Sequence, residues 1–217
     1  MNSKLTKKLM SEFIGTSFLV MMVVGSGIMA EKLSTDELSI LLANSFATGA
    51  GLTVLIWVFI SVSGAHFNPV VSLVIFLRGE LSFAEFFYFT IFQITGGFVG
   101  VILANTMFGL EPFQLATTER SGQALYLSES IATFGLLIVI LGVRKLALIS
   151  VAPAVGLYIA AGHWFTSSTS FANPAVTLAR GFSDTFTGIS PDFIFPFIFF
   201  QVLGAVIAML FMKLLDF

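Results

Sequence analysis

Apolar residues in this chain come in long unbroken blocks rather than in alternation with polar ones. A bilayer core of roughly 30 Å needs about 20 apolar residues in a helix, and six blocks meet that length: about 9–30, 38–62, 84–108, 124–143, 147–166 and 192–213. Two further apolar pieces are too short to cross, about 68–77, "NPVVSLVIFL", and about 173–181, "NPAVTLARG". Both open on Asn-Pro. Proline suits the first turn of a helix, where its missing N–H would have no partner anyway, and asparagine is a natural N-cap. Each short piece therefore reads as a half-helix that starts inside the membrane. The pattern predicts an all-α membrane protein of six transmembrane helices plus two re-entrant half-helices.

Composition agrees. The chain is 57% hydrophobic and only 10% charged, against about 25% charged in soluble domains. A net charge of −2 carries no nucleic-acid signature. The absence of cysteine excludes disulfides and thiolate chemistry, and it leaves the redox compartment open. The start, "MNSKLTKKLM", resembles a signal peptide, but Glu12 interrupts the apolar region and no small-residue cleavage site follows. It reads as a retained first span.

Lysine and arginine set the orientation. Lys4, Lys7, Lys8, Arg78, Arg144, Lys145 and Lys213 fall on one side of the six spans, and Lys32, Arg120 and Arg180 on the other. The bias puts both termini in the cytoplasm of a multi-pass protein, in the inner membrane if the source is a bacterium.

The two halves repeat one another. "SEFIGTSFLV" (11–20) matches "SESIATFGLL" (128–137), "SGAHFNPVVSL" (63–73) matches "STSFANPAVTL" (168–178), and "QITGGFVG" (93–100) matches "QVLGAVIA" (201–208). Three full spans per unit is an odd number, so the second copy lies inverted, as in many transport proteins whose working site is at the midplane. We expect one channel domain over 1–217, with repeat 1 at about 1–108, a linker at about 109–123 and repeat 2 at about 124–217.

Irregular backbone at membrane depth is tolerated only where protein buries it or where it lines a cavity. Two opposed half-helices would aim N-termini of about +0.5 elementary charge each at one point, disfavouring cations. The amides of Asn68 and Asn173 would offer N–H donors to a passing solute. The expected activity is a pore for small uncharged molecules.

At this point "SGAHFNPV", "FANPA", the paired Glu12 and Glu129 and the six-plus-two-half arrangement resemble the aquaporin, or major intrinsic protein, family over nearly the whole chain. The resemblance implies a right-handed six-helix bundle, a pore in each subunit and a homotetramer. It places the pore motifs at Asn68, Pro69, Val70 and Asn173, Pro174, Ala175, with Val70 standing where the family usually has alanine. It implies that Glu12 and Glu129 brace the half-helix loops, helped by Gln93 and Gln201. It also puts the selectivity filter at Thr48, Ala161, Ser170 and Val176, with valine where the family usually has arginine. The count to Ala161 assumes no insertion in its loop. Small, uncharged filter residues imply a wider opening with fewer donors. The stretch "WFTSSTSFANPAVTLARGFSDTF" (164–186) is similar to a bacterial subgroup associated with arsenic resistance, so the expected solutes are water, glycerol-type polyols and neutral metalloid hydroxides such as arsenite.

Five polar positions stay open in the sequence. Arg180 is either a displaced cation at the outer mouth or an end-of-helix residue that complements the dipole or snorkels outward. His163 joins the opening if Ala161 is misplaced; otherwise it packs at the rim. His66 is a pH-sensitive gate or a loop-packing residue with its hydrogen bonds satisfied. Glu12 and Glu129 would serve an ion-coupled secondary transporter if they are not braces. No ligand cluster or nucleophile–base pairing suggests an enzyme, and no cofactor or metal is expected.

Overall fold

A computed structural model describes residues 3–217, whose regular structure is helical throughout. In chain order the helices are α1 (Ser3–Leu33), α2 (Glu37–Phe59), α3 (Pro69–Leu77), α4 (Phe83–Met107), α5 (Gln123–Leu146), α6 (Val151–Phe165), α7 (Pro174–Arg180) and α8 (Ile194–Leu214). Single 3₁₀ turns at Leu148–Ser150 and Pro191–Phe193 lead into α6 and α8. Six of these segments are long and apolar enough to cross a membrane, and α3 and α7 are the half-helices. The expected boundaries hold to a few residues except at α1, which begins earlier than residue 9. There Lys4, Lys7 and Lys8 continue the helix, lysine being a good helix former.

The repeat is visible in the packing. α1 runs against α4 and α5 runs against α8, while α2 crosses α6. At each crossing a glycine lets backbone meet backbone. A Cβ on Gly96 would sit 2.4 Å from the Phe13 carbonyl oxygen, and one on the repeat-related Gly204 would sit 2.2 Å from that of Ser130. Gly49 faces Gly156, where an added Cβ would sit 2.7 Å from the Gly156 carbonyl oxygen. The obstacle at Gly96 is backbone, so Gly96→Ala should cost about 1–3 kcal/mol of overpacking. Its apparent Tm in detergent should fall by roughly 2–10 °C. Gly142→Ala is the control, because the nearest atom there is a methionine methyl at 3.8 Å. Thermal scans of both variants check the contrast.

The basic residues sort by side. Lys8 pairs with Glu85 at 2.9 Å, Arg78 and Arg144 both hold Glu80, and Lys145 donates to the Asp216 carbonyl. At the opposite end Glu31 accepts from the Phe186 N–H, and Lys32 donates to the Phe108 carbonyl. The linker that follows α4 folds over this second end. Its Gln114 and Ala116 N–H groups donate to the Phe182 and Gly181 carbonyls, and Thr117 bonds Asp184.

Candidate functional site

The site is built from two loops, 60–68 and 166–173, that turn back at membrane depth. Each ends on its asparagine. Asn68 Oδ1 accepts from the Val70 N–H at 3.0 Å, and Asn173 Oδ1 accepts from those of Ala175 and Val176 at 3.0 and 3.3 Å. Pro69 and Pro174 occupy the first helical positions. The remaining amide groups cross over: Asn68 Nδ2 donates to the Ala172 carbonyl at 2.7 Å, and Asn173 Nδ2 donates to that of Phe67 at 2.8 Å. Each amide has two N–H donors, so one is left over on each asparagine, and both residues line the central cavity.

The loops hold non-glycine residues at positive φ: Ala65 at 51° and Phe67 at 49° in the first, Thr169, Ser170 and Ala172 at 62°, 52° and 47° in the second. Such left-handed backbone costs of order 1–3 kcal/mol per residue and persists only when its surroundings over-determine it. The glutamates supply that determination. Glu12, fully buried, accepts from the Ser63 hydroxyl (2.6 Å), the N–H groups of His66 and Phe67 (3.0 and 2.7 Å) and the Gln93 amide (2.8 Å). Glu129 repeats this with the Ser168 hydroxyl (2.6 Å), the N–H groups of Phe171 and Ala172 (3.0 Å each) and the Gln201 amide (2.6 Å). Two residues absent from the sequence reading complete the braces. Ser72 and Thr177 accept a second bond from Gln93 and Gln201, at 2.9 Å each. They are 105 residues apart, the same offset as the asparagines, and that spacing was the signal available for finding them. Ser72 also bonds His66 Nδ1 at 3.0 Å, and the His66 ring meets Phe89 edge-on, so His66 is packed and paired while also lining the cavity.

One cavity of about 150 Å³ runs between the two halves. Its walls are rows of residues four apart: Thr48, Leu52 and Ile56 on α2 with Ile60 at its C-cap, and Val151, Val155, Ile159 and His163 on α6. Shorter rows come from α5 (Leu136, Ile140, Arg144), α3 (Val71, Ile75) and α7 (Val176, Arg180). Thr48, Ser170 and Val176 all line it.

Ala161 does not. It is exposed on the outer face of α6, two residues and hence about 200° around the helix from His163. The lining row passes through Ile159 and His163 instead, so His163 rather than Ala161 lines the cavity. His163 Nδ1 donates to the Ile159 carbonyl at 2.8 Å, so in the neutral ring Nε2 is an acceptor. Arg180 does not snorkel. It is 3% exposed, lines the cavity, and its Nε donates to the Thr187 carbonyl rather than to its own helix end. Among the described residues no group of three or more His, Cys, Asp or Glu could hold a metal ion.

Six spans, two half-helices locked cap to cap and a cavity threading the join give the architecture of a membrane channel. A family model described as Major intrinsic protein matches residues 1–147, and the chain belongs to that family. It is 47% identical over 209 residues to "Aquaglyceroporin AqpS" of Rhizobium meliloti (strain 1021), covering 96% of this chain and 90% of that protein. It is 31% identical over 186 residues to "Aquaporin TIP1-2" of Musa acuminata, covering 79% and 73%. Its fold superposes on the X-ray structure of the aquaglyceroporin from Plasmodium falciparum with a TM-score of 0.75 at 24% identity, over 95% of each chain.

Proposed function

We propose that the chain is a passive channel for small uncharged solutes: water, glycerol-type polyols and neutral metalloid hydroxides such as arsenite. The observation that carries this is the cross-bonded pair Asn68 and Asn173 at the waist of a single cavity with otherwise largely apolar walls. A neutral solute exchanges its water for the two spare amide donors there. A cation meets two helix N-termini of like sign. The filter consists of Thr48, Ser170 and Val176 with His163 in the place counted to Ala161. It is lined by small or neutral groups, which suits solutes larger than water. The 47% identity to an aquaglyceroporin supports the same breadth.

The ion-coupled alternative would use Glu12 and Glu129. Both carboxylates already accept four hydrogen bonds each, and protonation would break that set, which supports the bracing role. By its basic bias the channel sits with both termini in the cytoplasm, in a bacterial inner membrane, and it assembles as a homotetramer in which every subunit conducts.

Stopped-flow light scattering on proteoliposomes tests the reading. Water, glycerol and arsenite should each enter faster than into empty vesicles, with flux linear in the solute gradient and indifferent to an imposed proton or sodium gradient. Uphill accumulation driven by either ion would overturn it.

A further inference from the structure

Arg180 is the last residue of α7, one turn beyond Val176 on the same cavity-lining row. Of its five N–H donors, the single one with a protein partner among the described residues is Nε, which donates to the Thr187 carbonyl. The two terminal nitrogens, with four N–H donors between them, have no acceptor among the described residues. Nor does Arg180 pair with a carboxylate: the salt bridges among the described residues belong to Lys8, Arg78 and Arg144.

The side chain is nevertheless held in place. Its guanidinium carbon lies 3.3 Å from the centre of the Phe171 ring, and that of Arg120, which comes from the linker, lies 5.0 Å from the same ring. Arg120 donates to the Gly188 carbonyl at 2.7 Å and to that of Phe186 at 3.1 Å. Three consecutive carbonyls, 186 to 188, are thus taken by two guanidiniums that share one aromatic ring. This is a seat for a cation that leaves its free end toward the cavity. Two residues that line the same cavity, Thr48 and Ser170, are 2% and 3% exposed, and their buried hydroxyl oxygens have no hydrogen-bond partner among the described residues.

We propose that Arg180 is the specificity-determining cation of this channel, supplied one helical turn outward of Val176 and positioned by Arg120 and Phe171. The proposal rests on the channel reading above. A fixed guanidinium facing a narrow, poorly hydrated passage repels cations, and its planar donors hold the oxygens of a hydroxylated solute. Its bulk sets the outer width. The opening is therefore not as free of donors as Val176 alone implies.

The test compares wild type, Arg180→Ala, Arg180→Lys and Arg120→Gln in proteoliposomes, with water, glycerol, erythritol and methylammonium as probes. Arg180→Ala should raise methylammonium flux by about tenfold or more and increase erythritol flux relative to water, because charge and width are both lost. Arg180→Lys should keep methylammonium out while losing part of the discrimination between glycerol and erythritol, since a lysine restores charge but not the planar fork. Arg120→Gln keeps the cavity wall intact and should shift the same ratios by about two- to threefold by loosening the seat. The proposal is overturned if Arg180→Ala keeps the wild-type ratios and still excludes methylammonium, or if it and Arg120→Gln lower all fluxes in proportion. Wild-type vesicles that pass no neutral solute would sink the channel reading itself, a separate outcome.

Discussion

Replacing Glu129 by alanine is expected to abolish solute flux and to leave little protein that survives size-exclusion chromatography in mild detergent. The carboxylate accepts from two backbone N–H groups, a serine hydroxyl and a glutamine amide, all in a site with no exposure. Each buried donor left without a partner costs about 1–3 kcal/mol. Four of them approach the roughly 5–15 kcal/mol that holds a whole domain together. The loss falls where Thr169, Ser170 and Ala172 are already in left-handed backbone, so the loop has no relaxed state to fall back on. Glu12→Ala should behave alike, because its four partners are the repeat-related ones. Glu129→Gln should be milder, keeping one acceptor oxygen but turning a donor toward donors. The readouts are monodispersity in detergent and stopped-flow glycerol entry. A well-folded Glu129→Ala that had lost only an ion-gradient dependence would favour the transporter instead.

The second large effect is at the proposed filter. Val176→Arg should cut glycerol and arsenite flux by about tenfold or more while lowering water flux less. Val176 is buried against the cavity and four residues from Arg180 on the same face. A guanidinium added there projects into a space of about 150 Å³ and places a second cation one turn from the first. Larger solutes lose most, since they need the width and water does not. Stopped-flow rates for the three solutes, normalised to protein content, check the order. Unchanged glycerol entry would show that the constriction lies elsewhere.

Much of this architecture was legible in the chain. Spans were readable because lipid demands unbroken apolar length, and the half-helices because Asn-Pro occurs twice at matching places. The glutamates and glutamines followed from the repeat. The repeat offset falls from 117 residues at the glutamates to 105 at the asparagines mainly because α2 has 23 residues and α6 only 15. The side of each span that faces the cavity was not legible. These helices are apolar all round, so no hydrophobic stripe marks the wet face, and the count along α6 settled on Ala161 rather than on Ile159 and His163. The seat of Arg180 was equally hidden. It depends on carbonyls of residues 186 to 188, and a main-chain acceptor leaves no signature in side-chain order. Nor did any glycine announce the left-handed positions at Phe67 and Ala172, where glutamate bonding substitutes for conformational freedom.

The crossed amides also set a timetable for biosynthesis. Asn68 and its acceptor at Ala172 are 104 residues apart, and at about 5–20 residues per second of synthesis that gap is on the order of 5 to 20 s. Throughout that interval the first re-entrant loop has left the ribosome without the carbonyl that completes it. A nascent first half therefore has to be sheltered from lipid until the second loop arrives.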